Sequence, residues 1–319
     1  MRKVVVFNKM NDPLTREMEE FSKFPDVEVV KSDAIAEEDI IRDACDAEVI
    51  LFTSAKLSRG VISALKKCKM IQRYGIGYDT VDTEAAREAG IFVCNSPNYG
   101  VTDVAEHAFA LIMSCIKNIT RLNDRVREGN MGFDDMGQWM RLTGKKIGFV
   151  GFGKIARALC SMMKAFNITP IVYDPYVNEE ALREQGARSV SLPELMSSAD
   201  IITVHAPLTE GTRHLIGREE LSLVKPSVII VNTSRGPLID EEALAEALAD
   251  GRIFAVGLDV YENETDAVDE RIRNARNASL TPHVAWNTAE AVVALHEEVA
   301  LNVAKYLEGN RPDSIVNGL

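Results

Sequence analysis

Three segments of this chain place polar, chemistry-bearing side chains directly after apolar runs. His283 follows Leu280-Thr281-Pro282, Asp259 and Glu264 follow Val256-Gly257-Leu258, and Arg235 follows the run from Val228 to Ser234. In an open α/β sheet, residues at the carboxyl ends of strands face the ligand crevice. An imidazole titrates near neutral pH and can give or take a proton. A carboxylate close to it raises its pKa and orients it. A guanidinium can grip a carboxylate bidentately and polarise a neighbouring carbonyl. An arbitrary arginine belongs on a loop surface, but the strand-end position sets Arg235 apart. The set suits hydride transfer to a ketone, a reaction that needs a proton donor. Glu264 and His283 could form this acid–imidazole pair, with Glu262 as the alternative partner.

A second constellation binds rather than reacts. Ile147-Gly148-Phe149-Val150-Gly151-Phe152-Gly153-Lys154-Ile155-Ala156 reads as a strand, a glycine turn and a helix start. Gly151 allows the tight turn, and Gly153 lets backbone approach a pyrophosphate. The helix start supplies free N–H groups and a favourable dipole for phosphate. The strand Ile171-Val172-Tyr173 ends at Asp174, at the distance a ribose-binding acid requires. A carboxylate there accepts both ribose hydroxyls and repels a 2′-phosphate. Pro175 and Tyr176 follow, with no arginine, so the expected cofactor is NAD. A lone glycine fingerprint is weak; strand, helix and acid in register make it specific.

These motifs need sheets to hold them. Short β-branched runs alternate with helical patterns throughout, which predicts parallel α/β architecture. Candidate strands in the first hundred residues are Lys3–Asn8, Val27–Lys31, Glu48–Phe52, Met70–Tyr74 and Ile91–Cys94, with helical stretches such as Asp12–Phe21 and Arg59–Cys68 between them. A long helix is expected from a Thr102-Asp103 cap to about Glu128. A second unit has strands at Lys146–Val150, Ile168–Tyr173, Ile201–Val204, Val228–Asn232, Ala255–Leu258 and Ser279–Thr281. A final amphipathic helix covers Ala289–Leu307. The fold class is α/β, with two doubly wound parallel-sheet domains.

The 319 residues are too many for one comfortable core, and 46% hydrophobic with 26% charged residues marks an ordinary globular enzyme. A net charge of −12 argues against nucleic acid or anionic lipid as a partner. No apolar run approaches the ~18 residues that span a bilayer, and the N-terminus reads as a strand rather than a signal peptide. Cys45, Cys68, Cys94, Cys115 and Cys160 read as buried reduced thiols of a cytoplasmic protein. His107, His214 and His296 read as helix, loop or packing residues. No grouping has metal-ligand spacing, so no metal is expected.

The glycine turn, the stretch Ser198-Ala199-Asp200-Ile201-Ile202-Thr203-Val204-His205-Ala206-Pro207-Leu208-Thr209, and Lys225-Pro226 through Asn232-Thr233-Ser234-Arg235-Gly236 together resemble the D-isomer-specific 2-hydroxyacid dehydrogenases over essentially the whole chain. The resemblance implies a flavodoxin-like substrate domain of residues 1–99 plus 288–319 and a Rossmann NAD domain of residues 100–287. It implies that Arg235 binds the substrate carboxylate and polarises the carbonyl, that His283 is the general acid/base, and that Glu264 is its partner. Gly151, Phe152, Gly153, Lys154, Ile155 and Asp174 would bind NAD. His205, Pro207, Thr212 and Thr233 would line the cofactor cleft, Asp259 would hold the nicotinamide carboxamide, and Thr102 would touch the cofactor. Backbone N–H groups of Gly75, Ile76 and Gly77 would meet the substrate carboxylate, and domain closure would exclude water.

The expected function is NAD-dependent interconversion of a 2-keto acid and a D-2-hydroxy acid by a homodimer built on the helix after Thr102. Tyr74, Tyr78, Tyr99 and Trp286 are candidates for the side-chain pocket. One alternative is specifically a phosphoglycerate, glyoxylate or hydroxypyruvate dehydrogenase; a regulatory tail would mark the first, and the chain ends ten residues after Gly309. The other is an NAD-sensing corepressor-like scaffold of the same fold. Thr265 departs from the family pattern, where proline follows the glutamate, and Asp266–Arg276 is unusually charged.

Overall fold

Strands such as Val49-Ile50-Leu51-Phe52 and Ile201-Ile202-Thr203-Val204 are buried at every residue. Such runs belong in parallel sheets covered on both faces. A computed structural model describes residues 1–7, 13–132, 139–264 and 268–319. The expected strand end at Asn8, the helix start at Asp12 and the departure at Thr265 lie outside these residues. The chain divides into two compact units, Met1–Gly100 with Asn287–Leu319, and Val101–Trp286.

The first unit alternates β1 (Arg2–Phe7), α1 (Thr15–Phe21), β2 (Val27–Lys31), α2 (Glu37–Ala44), β3 (Val49–Phe52), α3 (Arg59–Ala64), β4 (Met70–Arg73), α4 (Thr83–Glu88) and β5 (Phe92–Cys94). Its parallel sheet has the order β2-β1-β3-β4-β5, the flavodoxin-like arrangement. Ser58 and Asp82 cap α3 and α4 by accepting from the N–H groups of Val61 and Ala85.

The second unit contains α5 (Val101–Lys117), α6 (Ile119–Arg127), β6 (Lys146–Val150), α7 (Lys154–Met163), β7 (Thr169–Tyr173), α8 (Glu179–Gln185), β8 (Arg188–Ser189), α9 (Leu192–Ser198), β9 (Ile201–Val204), α10 (Arg218–Ser222), β10 (Ile229–Asn232), α11 (Glu241–Ala249), β11 (Ala255–Leu258), α12 (Glu270–Arg273) and β12 (Ala278–Leu280). Its parallel sheet runs β12-β11-β10-β9-β6-β7-β8. Chain order reverses between β6 and β9, where a doubly wound sheet opens its crevice. The final helix, α13 (Ala289–Leu307), belongs to the first unit.

Two expectations need correction. The helix after residue 100 begins at Val101, so Thr102 lies in its first turn rather than capping it. It also breaks at Asn118, which takes φ 53 and separates α5 from α6. Asparagine is among the few residues that accept this left-handed conformation at low cost. Strand β8 was not foreseen, because its two residues are both exposed. Among the described residues no helix is long and apolar enough to cross a membrane.

Candidate active site in the second unit

Strand register builds the site. Val150 pairs with Tyr173 and Val204, Asn232 with Val204 and Leu258, and Leu258 with Leu280. These residues form one row across the sheet. The next residue along each strand therefore falls in a second row at the carboxyl edge: Gly151, Asp174, His205, Thr233, Asp259 and Thr281.

Gly151 is forced. Its φ is 86, and an added Cβ would lie 2.7 Å from the backbone nitrogen of Ala206. Any side chain there would drive apart the turns that follow β6 and β9. At Gly153 an added Cβ would meet nothing within 4 Å, so backbone is open to close approach. Gly153 is also the N-cap of α7 and offers no side chain to the N–H groups of the first turn. Lys154 is exposed there, and Ile155 partly so. The carboxylate of Asp174 accepts from the N–H of Phe152 at 2.8 Å and from that of Tyr176 at 2.8 Å. Each oxygen keeps lone-pair capacity for a hydroxyl. Thr233 Oγ1 is buried with no hydrogen-bond partner among the described residues, so a polar ligand there would remove a desolvation cost. These features fit a dinucleotide.

Around them, His205 Nε2 lies 2.9 Å from Thr203 Oγ1. Burial pushes its imidazole down to about 4, so the ring is neutral at physiological pH. Pro207 and Thr212 share one tight turn, in which the Thr212 hydroxyl donates to the Pro207 carbonyl at 2.7 Å.

The candidate reactive residues gather where β10, β11 and β12 end. His283 Nδ1 and Glu264 Oε2 are 2.8 Å apart, so the two residues meet. Burial acts to raise the Glu264 carboxyl, but the hydrogen bond and charge of His283, a backbone hydrogen bond at Tyr261 and the charge of Arg235 outweigh it and hold it below its ordinary value. Arg235 is thus close enough for its charge to reach Glu264. Asn232 shapes the turn carrying it, donating from Nδ2 to the Arg235 carbonyl at 2.9 Å and accepting from the Ser234 N–H at 3.0 Å. Glu262, the alternative partner, is engaged elsewhere: its Oε1 lies 2.6 Å from His214 Nε2 and 2.9 Å from an Arg213 nitrogen.

Asp259 is fully buried, and its carboxylate faces the loop that bears His283. It accepts from the Thr281 hydroxyl at 2.6 Å and from the N–H groups of Val284 and Ala285, each at 2.9 Å. Asp259 thus holds the loop that bears His283. Thr281 also meets His107 Nε2 at 2.9 Å. Sequence reasoning passed over Thr281 and Asn232, although both sit at the strand ends that flagged their neighbours.

Within the first unit, Gly75, Ile76 and Gly77 follow β4. Tyr74 is not available to a substrate pocket. It is buried, and its hydroxyl donates to Glu17 Oε1 at 2.8 Å, an oxygen that also lies 2.7 Å from His296 Nδ1. Tyr78 is exposed and Tyr99 partly exposed.

A sequence profile of the D-isomer specific 2-hydroxyacid dehydrogenase NAD-binding domain matches residues 109–285. The D-3-phosphoglycerate dehydrogenase of Methanocaldococcus jannaschii is 36% identical over 319 residues, 99% of this chain but 60% of that longer protein. The hydroxypyruvate reductase of Thermotoga maritima is 36% identical over 301 residues, 93% of this chain and 97% of that one. A solved D-lactate dehydrogenase from Aquifex aeolicus, complexed with NAD and lactic acid, superposes with a TM-score of 0.86 at 28% identity, covering 97% of this chain and 96% of that one. The chain belongs to the D-isomer specific 2-hydroxyacid dehydrogenase family. Its second unit carries the family's NAD-binding domain. These relatives are dehydrogenases and a reductase, which supports an enzyme and not the corepressor-like scaffold.

Proposed function

We propose that this protein uses NAD to interconvert a 2-keto acid and a D-2-hydroxy acid. The observation that carries the reading is the His283–Glu264 contact of 2.8 Å, within reach of the Arg235 charge, at the strand ends of the NAD-binding unit. Gly151, Phe152, Gly153, Lys154 and Ile155 cradle the pyrophosphate. Asp174 takes the adenosine ribose, and Thr102, His205, Pro207, Thr212 and Thr233 line the cleft. When bound, the nicotinamide supplies a hydride to the keto carbon, or takes it back in oxidation.

Every other step falls to the chain. Arg235 holds the substrate carboxylate and polarises the keto oxygen. Glu264 engages Nδ1 of His283 and leaves Nε2 to deliver the proton that completes the hydroxyl. Asp259 keeps that imidazole in place. The first unit serves as the substrate domain, and its Gly75–Gly77 loop offers the Ile76 and Gly77 N–H groups to a carboxylate. Glyoxylate, hydroxypyruvate and 3-phosphohydroxypyruvate are the substrates to try first, in keeping with the names of relatives.

We assign the protein to the cytoplasm on its thiols, four of five being buried and none paired in a disulfide among the described residues. It works as a homodimer. Helix α6 buries none of its residues and leaves Ile119 and Val126 each 56% exposed, an apolar face for a second copy.

The test is NADH oxidation against a panel of 2-keto acids. Arg235→Ala should lose most activity while NAD binding survives; equal weakening of both would remove Arg235 from its role. No turnover with any keto acid would return the scaffold reading.

A further inference from the structure

The Gly75–Gly77 loop turns two backbone N–H groups outward, and the cause lies in its carbonyls. A peptide group is planar and trans, so its C=O and N–H point in opposite directions. The Gly75 carbonyl shares its plane with the Ile76 N–H, and the Ile76 carbonyl shares its plane with the Gly77 N–H. Both carbonyls are drawn inward by the segment after β5. Gly75 O accepts from the Ser96 backbone N–H at 3.0 Å. Ile76 O accepts from the Asn95 side-chain amide, Nδ2, at 2.7 Å. The N–H ends of the same planes therefore face away from that segment. Neither the Ile76 nor the Gly77 N–H meets an acceptor among the described residues. Both residues are half-buried, where an unpaired N–H is costly until an anion takes it.

The two inward bonds differ in kind. Ser96 uses its main chain, which any residue supplies. Asn95 uses a side-chain donor that few residues could replace. It is 7% exposed, and its own N–H donates to the Ser314 carbonyl at 3.3 Å, so its side chain starts from a fixed backbone.

We propose that Asn95 is a positioning residue for the substrate carboxylate: its amide fixes the Ile76–Gly77 peptide so that the loop keeps two N–H groups aimed outward. The inference rests on reading Gly75–Gly77 as the substrate loop. Asn95→Asp has the same shape but cannot donate when ionised, and sets a negative oxygen against the Ile76 carbonyl. That favours the flipped peptide, which would show the substrate a carbonyl.

A matched control exists. Asn317, in the same unit, is also 7% exposed, donates from Nδ2 to the Ile91 carbonyl at 2.8 Å and accepts from the Val93 N–H at 3.2 Å. Both of these bonds go to the β5 segment and neither to the loop.

The experiment compares wild type, Asn95→Asp, Asn95→Ala and Asn317→Ala, with glyoxylate and hydroxypyruvate as substrates. Asn95→Asp should raise KM for the keto acid about tenfold or more, with KM for NADH within about twofold. Asn95→Ala should raise it less. Asn317→Ala should lower Tm with keto-acid KM unchanged. An unchanged KM in Asn95→Asp overturns the proposal, as does an equal rise in Asn317→Ala, which would reduce Asn95 to a structural role. If wild type turns over no keto acid, the functional reading fails and amide exchange decides the inference alone. Faster exchange across residues 75–77 in Asn95→Asp than in Asn317→Ala supports it, and equal rates overturn it.

Discussion

The N–H of His283 donates to the carbonyl of Asp259 at 2.7 Å, while the next two N–H groups along the chain close on the Asp259 carboxylate. His283 takes φ 54 to allow this. A non-glycine residue rests there only when its surroundings overdetermine it. One buried acid thus sets the backbone from which the imidazole projects.

Asp259→Asn is expected to lose more than it seems to change. The amide must turn its NH2 toward either the Val284 or the Ala285 N–H, donor against donor. One buried hydrogen bond is lost and a second strained, a destabilisation of about 2–3 kcal/mol. We expect kcat to fall about 10- to 100-fold as His283 loses its fixed position. Urea melts and steady-state kinetics check both; intact kcat in a destabilised protein would reject the positioning role.

The reacting pair yields a graded expectation. His283→Asn removes the proton donor and should cost about 10³-fold in kcat. Glu264→Gln retains an acceptor for Nδ1 but not the charge, and should cost about 10- to 100-fold. NADH affinity, followed by fluorescence, should remain within about threefold of wild type in both. Losses of equal size in kcat and in NADH binding would mean that the variants disturb the cofactor cleft.

On the proposed reading, Asp174 carries the cofactor preference. Its two oxygens already accept from Phe152 and Tyr176, so the carboxylate is fixed where a 2′-phosphate would approach. Asp174→Ser keeps a hydroxyl and removes the charge. The ratio of kcat/KM for NADH over NADPH should fall by about tenfold or more, mostly through a lower KM for NADPH. A ratio that does not move would assign discrimination to other residues.

How much of this was legible in the residues differs by kind. Strands such as β9 and β10 were readable because parallel strands are buried on both faces and stay apolar at every position. Strand β8 was not, since Arg188 and Ser189 are both exposed and carry no apolar signal. The break at Asn118 hid inside continuous helical periodicity, because one left-handed residue leaves the pattern on either side intact. The row of strand-end residues was legible as a list, but not as a row, which depends on register. The meeting of Glu264 with His283 depends on how two loops fold at adjacent strand ends. Tyr74 misled for a related reason: an aromatic beside a glycine loop suggests a pocket wall, and its partner Glu17 lies 57 positions away.

His205 gives a pH dependence whose sign can be worked out. Burial pushes its folded-state value down to about 4 from the ordinary imidazole value of 6.5. Between those values the unfolded chain binds a proton that the folded protein refuses. Stability from the neutral ring is therefore complete above 6.5 and is lost as pH falls toward 4. His205 as a whole residue is only half-buried, so the effect should be about 1–3 kcal/mol, below what full burial would give. His205→Gln does not titrate. Its Tm should decline less steeply than that of wild type across that window, and the two curves should run parallel above it. Parallel curves throughout would mean that the imidazole protonates in the folded protein as readily as in the unfolded chain.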